Sequence, residues 1–200
     1  MGELFVLPYF LVYIYVGLIY KVGEERCMDV LVVVDMQNDF IDGALGTEEA
    51  VNILPRVVKK IKGFNGKVFF TRDTHNENYL LTQEGKKLNV VHCIKNTNGW
   101  QLNPQIQELV IEEVFDKPTF GSIELCERLY ELHKIDNIKT ITIIGLCTDI
   151  CVISNAMILK AFFPESEIIV DASCCAGVTP STHKQALESM KMCHIDVINE

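Results

Sequence analysis

Three side chains of this sequence could act together on an electrophilic carbon: a carboxylate, an ammonium and a thiol. Asp35 follows the apolar run Val30-Leu31-Val32-Val33-Val34. Lys117 follows Glu113-Val114-Phe115-Asp116, and Cys151 follows Thr140-Ile141-Thr142-Ile143-Ile144-Gly145 across a short turn. Short, β-branched apolar runs read as strands buried on both faces. In an open parallel α/β sheet, ligands bind beyond the carboxyl ends of the strands. An acid, a cation and a thiol delivered there from three strands would make a nucleophilic site of the cysteine-hydrolase kind.

Each residue also has a plainer reading. Cys151 falls in the first turn of a helix that follows Gly145, where the helix dipole favours thiolate and backbone N–H groups can receive an oxyanion. It could equally be a packed helix cysteine, and Cys147 is a rival thiol. Asp35 is too deep in an apolar context to stand unpaired at low cost. It is a catalytic carboxylate or a cap, with Asp39 competing for the role. Lys117 either pairs with that acid or is a solvated loop lysine before Pro118.

A second group suggests a metal. Asp73, His75, Glu84 and His92 offer carboxylate and imidazole ligands of the kind that suit Zn²⁺, Fe²⁺ or Mn²⁺. Each could alternatively face solvent, but their concentration after a strand end favours a site. His133, His183 and His194 read as ordinary surface residues.

The elements that must position these groups alternate along the chain. Strands are expected at 30–34, 67–71, 111–115, 140–144, 167–171 and 195–198, and helices at 48–62, 121–134, 149–162 and 180–193. Asn65-Gly66 marks a turn, and Thr179-Pro180 opens the last helix. The pattern predicts an α/β fold, three-layered and doubly wound. Its six-stranded sheet should be mostly parallel and Rossmann-like, with helices on both faces. The stretch 72–110 is long, polar and without a strong period, as functional loops are. No linker or repeat divides the chain from Met28 onward, so 28–200 is expected to be one cysteine-hydrolase domain.

Composition narrows the partners. Apolar residues make up 48% of the 200, enough for a real core. The formal charge of −9 argues against nucleic acid and for a small neutral or cationic substrate. The eight cysteines have no regular disulfide spacing and no C-x-x-C pair. That points to a reducing cytosol and away from structural zinc.

Residues 1–27 stand apart as an apolar extension. Leu4 to Tyr20 carries no charge and falls just short of the roughly 20 residues of a comfortable membrane span. It lacks the charged start and cleavage site of a signal peptide. Gly23-Glu24-Glu25-Arg26 is encoded largely by purines, as a ribosome-binding site upstream of a Met28 codon would be. The expectation is a mis-assigned start. The alternative is an anchor that leaves the domain in the cytoplasm.

Taken together, the segments Asp35-Met36-Gln37-Asn38-Asp39-Phe40, Thr71-Arg72-Asp73-Thr74-His75, His92-Cys93-Ile94, Lys117-Pro118-Thr119-Phe120 and Thr148-Asp149-Ile150-Cys151-Val152 resemble the isochorismatase-like cysteine hydrolase superfamily, and within it the nicotinamidases. Asp171 followed by Cys175-Ala176-Gly177-Val178-Thr179-Pro180 fits as well, so the likeness runs from Met28 to the C-terminus. The resemblance implies Cys151 as nucleophile, Asp35 as proton shuttle and Lys117 as the cation beside them. It implies a cis peptide at Leu146-Cys147, with the Cys147 and Cys151 N–H groups aimed at the oxyanion. It matches Asp73, His75 and His92 to metal ligands, with Glu84 as candidate fourth.

The implied activity is conversion of nicotinamide to nicotinate and ammonia by a cytoplasmic enzyme carrying one divalent transition metal, zinc, iron or manganese. Isochorismatase proper lacks the nucleophilic cysteine, so Cys151 argues against that reaction. Two departures bear on substrate. Asn96 stands where the family has Gly, and Leu88-Asn89-Val90-Val91 replaces a stretch that often holds a ring-stacking Trp. Phe40, Tyr79 or Phe120 could supply an aromatic wall instead. The alternatives are a hydrolase of another small amide or ureido compound and a non-catalytic metal- or thiol-binding protein. The resemblance leaves room for a homo-oligomer.

Overall fold

The computed structural model describes residues 27–200. The expectations for the apolar extension before them lie outside the described residues. Six strands form one sheet in the order β3-β2-β1-β4-β5-β6, all parallel. They are β1 (Cys27–Val34), β2 (Lys67–Asp73), β3 (Val114–Lys117), β4 (Asn137–Leu146), β5 (Glu167–Ala176) and β6 (Asp196–Ile198). The order reverses direction between β1 and β4, so the crevice for a ligand opens at the carboxyl ends of that pair.

The central strand shows why the sequence folds this way. Val30, Leu31, Val32, Val33 and Val34 are all fully buried. Alternate residues enter two different cores: Val30, Val32 and Val34 on one face, Leu31 and Val33 on the other. Burying such a side chain contributes about 1.5–3 kcal/mol, so this run fixes the middle of the sheet. Helices cover both faces. On one side lies α2 (Glu48–Gly63), following the short α1 (Asn38–Ile41). It buries Ala50, Ile53, Leu54, Val57 and Ile61 at helical spacing and is capped by the Thr47 side chain, which accepts from the Ala50 N–H at 3.0 Å.

The long connection holds two short helices, α3 (Gln83–Lys87) and α4 (Pro104–Gln107), and the other face carries α5 (Ile123–His133) and α6 (Ile153–Phe162). The last helix, α7 (Pro180–Met192), opens on a capping box made by Thr179 and Thr182, with Pro180 in its first turn. Among the described residues no helix is long and apolar enough to cross a membrane.

The third strand departs from expectation. It begins at Val114 rather than 111, and Ile111 is 92% exposed. Pairing with β2 sets the register: Phe70 sits opposite Val114 and Asp73 opposite Lys117. Lys117 therefore ends the strand instead of following it, beside an acid on the same sheet face. One glycine draws the two central strands together. Gly145 has φ +117°, and a Cβ there would lie 2.1 Å from the Val34 carbonyl oxygen. Only glycine permits both the dihedral and that approach.

Candidate active site

Four strand ends deliver the site. Asp35 comes directly after β1 with φ +48°, a left-handed conformation that turns the chain out of the sheet. Its N–H donates to the Thr71 carbonyl at 3.2 Å, and the Thr71 hydroxyl donates to Asp35 Oδ1 at 2.6 Å. Asp73 ends β2 and Lys117 ends β3. After β4 the Leu146–Cys147 peptide is cis, and Thr148–Val152 forms a π-helical turn before α6. The Cys147 carbonyl accepts from the N–H groups of Ile150 and Val152, at 3.1 and 3.0 Å. The Cys151 N–H between them makes neither bond.

Lys117 is the centre of the cluster. Its Nζ lies 2.7 Å from Asp35 Oδ2, 3.3 Å from Asp73 Oδ1, 3.1 Å from the Thr119 carbonyl and 3.4 Å from Cys151 Sγ. The lysine is 1% exposed. Burial alone would push it down, but Asp35, Cys151 and Asp73 together hold it well above the ordinary lysine value. Burial pushes the Cys151 thiol well up, and the Asp35 charge adds to this against Lys117. Asp35 is also raised, by burial first, with Lys117 opposing. The buried ammonium favours negative charge on the groups it touches, and the Asp35 carboxyl and Cys151 sulfur can share a proton beside it. Asp35 Oδ2 sits 2.7 Å from the Lys117 ammonium and, among the described residues, accepts no directed hydrogen bond. It is open to a proton from the thiol or from a ligand.

The second cluster adjoins the first through Asp73. One ligand atom from each of Asp73, His75, Glu84 and His92 lies within 4.8 Å of the others. His75 Nε2 is 2.9 Å from Asp73 Oδ2 and 3.5 Å from Glu84 Oε1, and His92 Nε2 is 3.5 Å from Asp73 Oδ2. Among the described residues, His75 Nε2 is buried without a directed hydrogen bond. His92 Nδ1 is 2.8 Å from the Val90 carbonyl, which sets that nitrogen as donor and leaves Nε2 with a lone pair facing the cluster. An orphaned imidazole nitrogen and convergent carboxylates form a donor set that fits a divalent cation.

Between the clusters opens an apolar cavity of about 160 Å³. Ligand pockets commonly run about 300–1,000 Å³, so this one suits a molecule of a single small ring. Phe40, Leu45, Leu88, Phe120, Cys147, Ile150 and Val178 line it, with Asp73, Glu84, His92 and Cys151 at its polar end.

The structure thus brings Asp35, Lys117 and Cys151 together, and brings the four metal candidates together. Phe40 and Phe120 reach the cavity. Tyr79 does not: it is fully buried behind the cluster, its ring centroid 4.6 Å from that of His75 and 4.9 Å from that of His92, and its hydroxyl donates to the Leu88 carbonyl at 3.0 Å. It supports the imidazoles from the rear. Asp39 is also not at the thiol, since its Oδ2 accepts from the Cys93 N–H at 2.7 Å.

Other positioning residues were not singled out in the sequence. Gln37 is fully buried and clamps the end of β2, donating to the Asp73 carbonyl at 2.9 Å and accepting from the Asp73 N–H at 2.7 Å. Asn155 donates to the Cys151 carbonyl at 2.8 Å and to the Phe120 carbonyl at 3.1 Å. The usable signal was position: a polar residue just past a buried strand, and an amide four residues after the thiol on one helix face.

Known proteins resemble this chain in sequence and fold. The Isochorismatase domain family matches residues 29–199. The nicotinamidase of Saccharomyces cerevisiae is 25% identical over 217 residues, covering 86% of this chain and all of the yeast protein. Among solved structures, the pyrazinamidase of Pyrococcus horikoshii in complex with zinc superposes with a TM-score of 0.70 at 28% identity, over 86% of this chain and 99% of that one. A nicotinamidase from Bacillus subtilis gives 0.72 at 25%, with the same coverage. The family match takes in part of every strand and every strand end of the site, and the chain belongs to the isochorismatase domain family.

Proposed function

We propose that this protein is an amidohydrolase that cleaves nicotinamide to nicotinate and ammonia through a thioester on Cys151. The observation that carries the reading is Lys117 Nζ within 3.4 Å of Cys151 Sγ and 2.7 Å of Asp35 Oδ2, at the polar end of a one-ring apolar cavity. Asp35 takes the thiol proton as sulfur attacks the amide carbon, and Lys117 keeps the shared negative charge compensated. The Cys147 and Cys151 N–H groups receive the oxyanion. Asp35 returns its proton to the departing nitrogen, which leaves as ammonia. It then takes a proton from the water that opens the thioester, and the sulfur leaves with a proton restored to Cys151. Phe40 and Phe120 flank the ring.

Asp73, His75, His92 and Glu84 would hold one divalent ion, zinc, iron or manganese; zinc is the ion bound by the pyrazinamidase named above. When bound, such an ion supplies a Lewis-acid anchor for the ring nitrogen and so orients the amide. Asp73 joins the clusters, since Lys117 touches one of its oxygens and the histidines the other. All eight cysteines are free, which supports a reducing, cytoplasmic setting.

A second reading, another small carboxamide, is favoured by Leu88, which gives the cavity an aliphatic wall. Ammonia release from nicotinamide, pyrazinamide and an aliphatic amide, measured side by side, tests both. Turnover of the aliphatic amide alone would overturn the first reading in favour of the second.

A further inference from the structure

The π-helical turn that carries Cys151 is tied from behind. Thr148, its first residue, is fully buried, and its hydroxyl lies 2.8 Å from Nδ1 of His183 on α7. The next residue, Asp149, accepts the Val178 N–H at 3.2 and 3.3 Å through its two oxygens. Two consecutive residues of the turn are therefore held by the segment that opens α7. That segment is itself closely fitted, for a Cβ on Gly177 would come within 2.9 Å of the His183 backbone nitrogen. Gly177 and Val178 also line the cavity, whereas His183 does not. His183 faces the adjoining polar groove with Glu49, Asn52 and Arg56. Its ring is half-buried, and burial pushes it below the ordinary histidine value, which favours the neutral form. With Nδ1 as acceptor, the neutral ring receives the Thr148 O–H.

We propose that His183 is a positioning residue: by receiving the Thr148 hydroxyl it sets the orientation of the turn, and so the aim of the Cys147 and Cys151 N–H groups at the oxyanion. The inference rests on the amidase reading above and adds a residue to it. It distinguishes His183 from Asp35 and Lys117, which act on the proton and charge of the thiol. Loss of the brace should leave ring binding intact and weaken only the stabilisation that appears as the carbonyl oxygen gains charge.

The test compares wild type, His183→Ala, His183→Asn and Thr148→Val with two substrates. One is nicotinamide. The other is 4-nitrophenyl acetate, a small activated ester whose acyl transfer to Cys151 needs the oxyanion site but no pyridine ring. His183→Ala and Thr148→Val should each lower kcat roughly tenfold to a hundredfold, with KM within about twofold. The double variant, His183→Ala with Thr148→Val, should be no worse than either. His183→Asn, which keeps an acceptor, should recover most of the rate. Unchanged kcat in both single variants, or additive losses without rescue by Asn, overturns the proposal. Where His183→Ala does not fold, the Asn and Val variants carry the comparison. Slowed acylation of Cys151 by the ester in a protein that releases no ammonia from nicotinamide would sink the substrate assignment and leave the brace standing. Acylation at the wild-type rate in Thr148→Val, with ammonia still released from nicotinamide, would overturn the brace and leave the substrate assignment standing.

Discussion

Asp35 and Asp73 end adjacent parallel strands, are both buried, and share one lysine, yet their surroundings drive them in opposite directions. Burial raises Asp35, with Lys117 pulling it down and the Asp73 charge pushing it up. Burial would raise Asp73 too, but the His75 and His92 imidazoles facing its Oδ2, with Lys117 beside its Oδ1, hold it well below the usual carboxylate range. Both are buried, and the polar groups around each carboxylate decide how far burial is offset. A pair of acids pushed apart in this way can divide their tasks, one to exchange a proton and one to stay ionised.

The largest expected effect falls on the Asp35 side. Cys151→Ala and Asp35→Ala should each reduce amide hydrolysis by about 10³-fold or more, and the double variant little further, because the two act as one unit. Metal content, read by elemental analysis, should stay intact in both. Loss of metal from Asp35→Ala would break the division, since the two acids would then form a single site. On the other side, Asp73→Ala or His75→Ala should remove the metal and weaken activity by about 10²-fold, the scale on which misplaced substrates lose rate. Glu84→Ala should do less, since Glu84 Oε1 lies 3.5 and 3.9 Å from the imidazoles against 2.9 Å for the Asp73–His75 pair.

A pH profile sharpens the contrast further. A base must be ionised to act, and the Asp35 value is raised, so kcat/KM should fall on an acid limb above the ordinary aspartate range. Thr71→Val removes a donor that favours the ionised form and should move that limb higher still. A limb unmoved by this change would mean that Asp35 is not the titrating base.

The smallest effect belongs to a third acid, set within β5. Asp171 pairs with Lys60 at 2.8 Å and accepts from Ser173 and Asn199, well away from the cavity. Its value is lowered, burial opposing and Lys60 leading the stabilisation of the charged form. A depressed carboxylate contributes stability above its unfolded value of about 3.9 and loses it as pH falls through the folded one. Asp171→Asn should cost about 1 kcal/mol near neutrality, converge with wild type in strong acid, and leave activity unchanged. Chemical denaturation at two pH values measures this.

Much of the fold was legible because buried parallel strands write themselves as continuous apolar runs. Val30–Val34 and Thr140–Ile144 needed no partner to be recognised. The edge strand was misplaced because Ile111-Glu112-Glu113 has no such run, and its position follows from pairing with β2, which a linear pattern does not contain. The spacing of Asp73, His75, Glu84 and His92 suggested a cluster, and the structure places their ligand atoms together. Whether Tyr79 faced the ring or the ligands could not be read from type and spacing, since both positions are apolar. The same holds for His183. A lone histidine on a helix reads as surface until Thr148, 35 residues earlier in the chain, is seen to be buried against it.

Gly145 touches no ligand and takes no part in proton transfer, yet its place between Val34 and the Cys147 turn gives it an unusual standing under mutation. Every other side chain would need both a disfavoured dihedral and a Cβ only 2.1 Å from the Val34 carbonyl oxygen, far inside contact distance. Relief could come only by parting β1 from β4, and those strands carry the acid and the thiol. In a saturation library scored for activity, position 145 should therefore be as intolerant as the nucleophile itself. Its failures would be of distance rather than of chemistry, and a folded but inert Gly145→Ala would look, to a census of phenotypes alone, like the loss of a catalytic group that was never there.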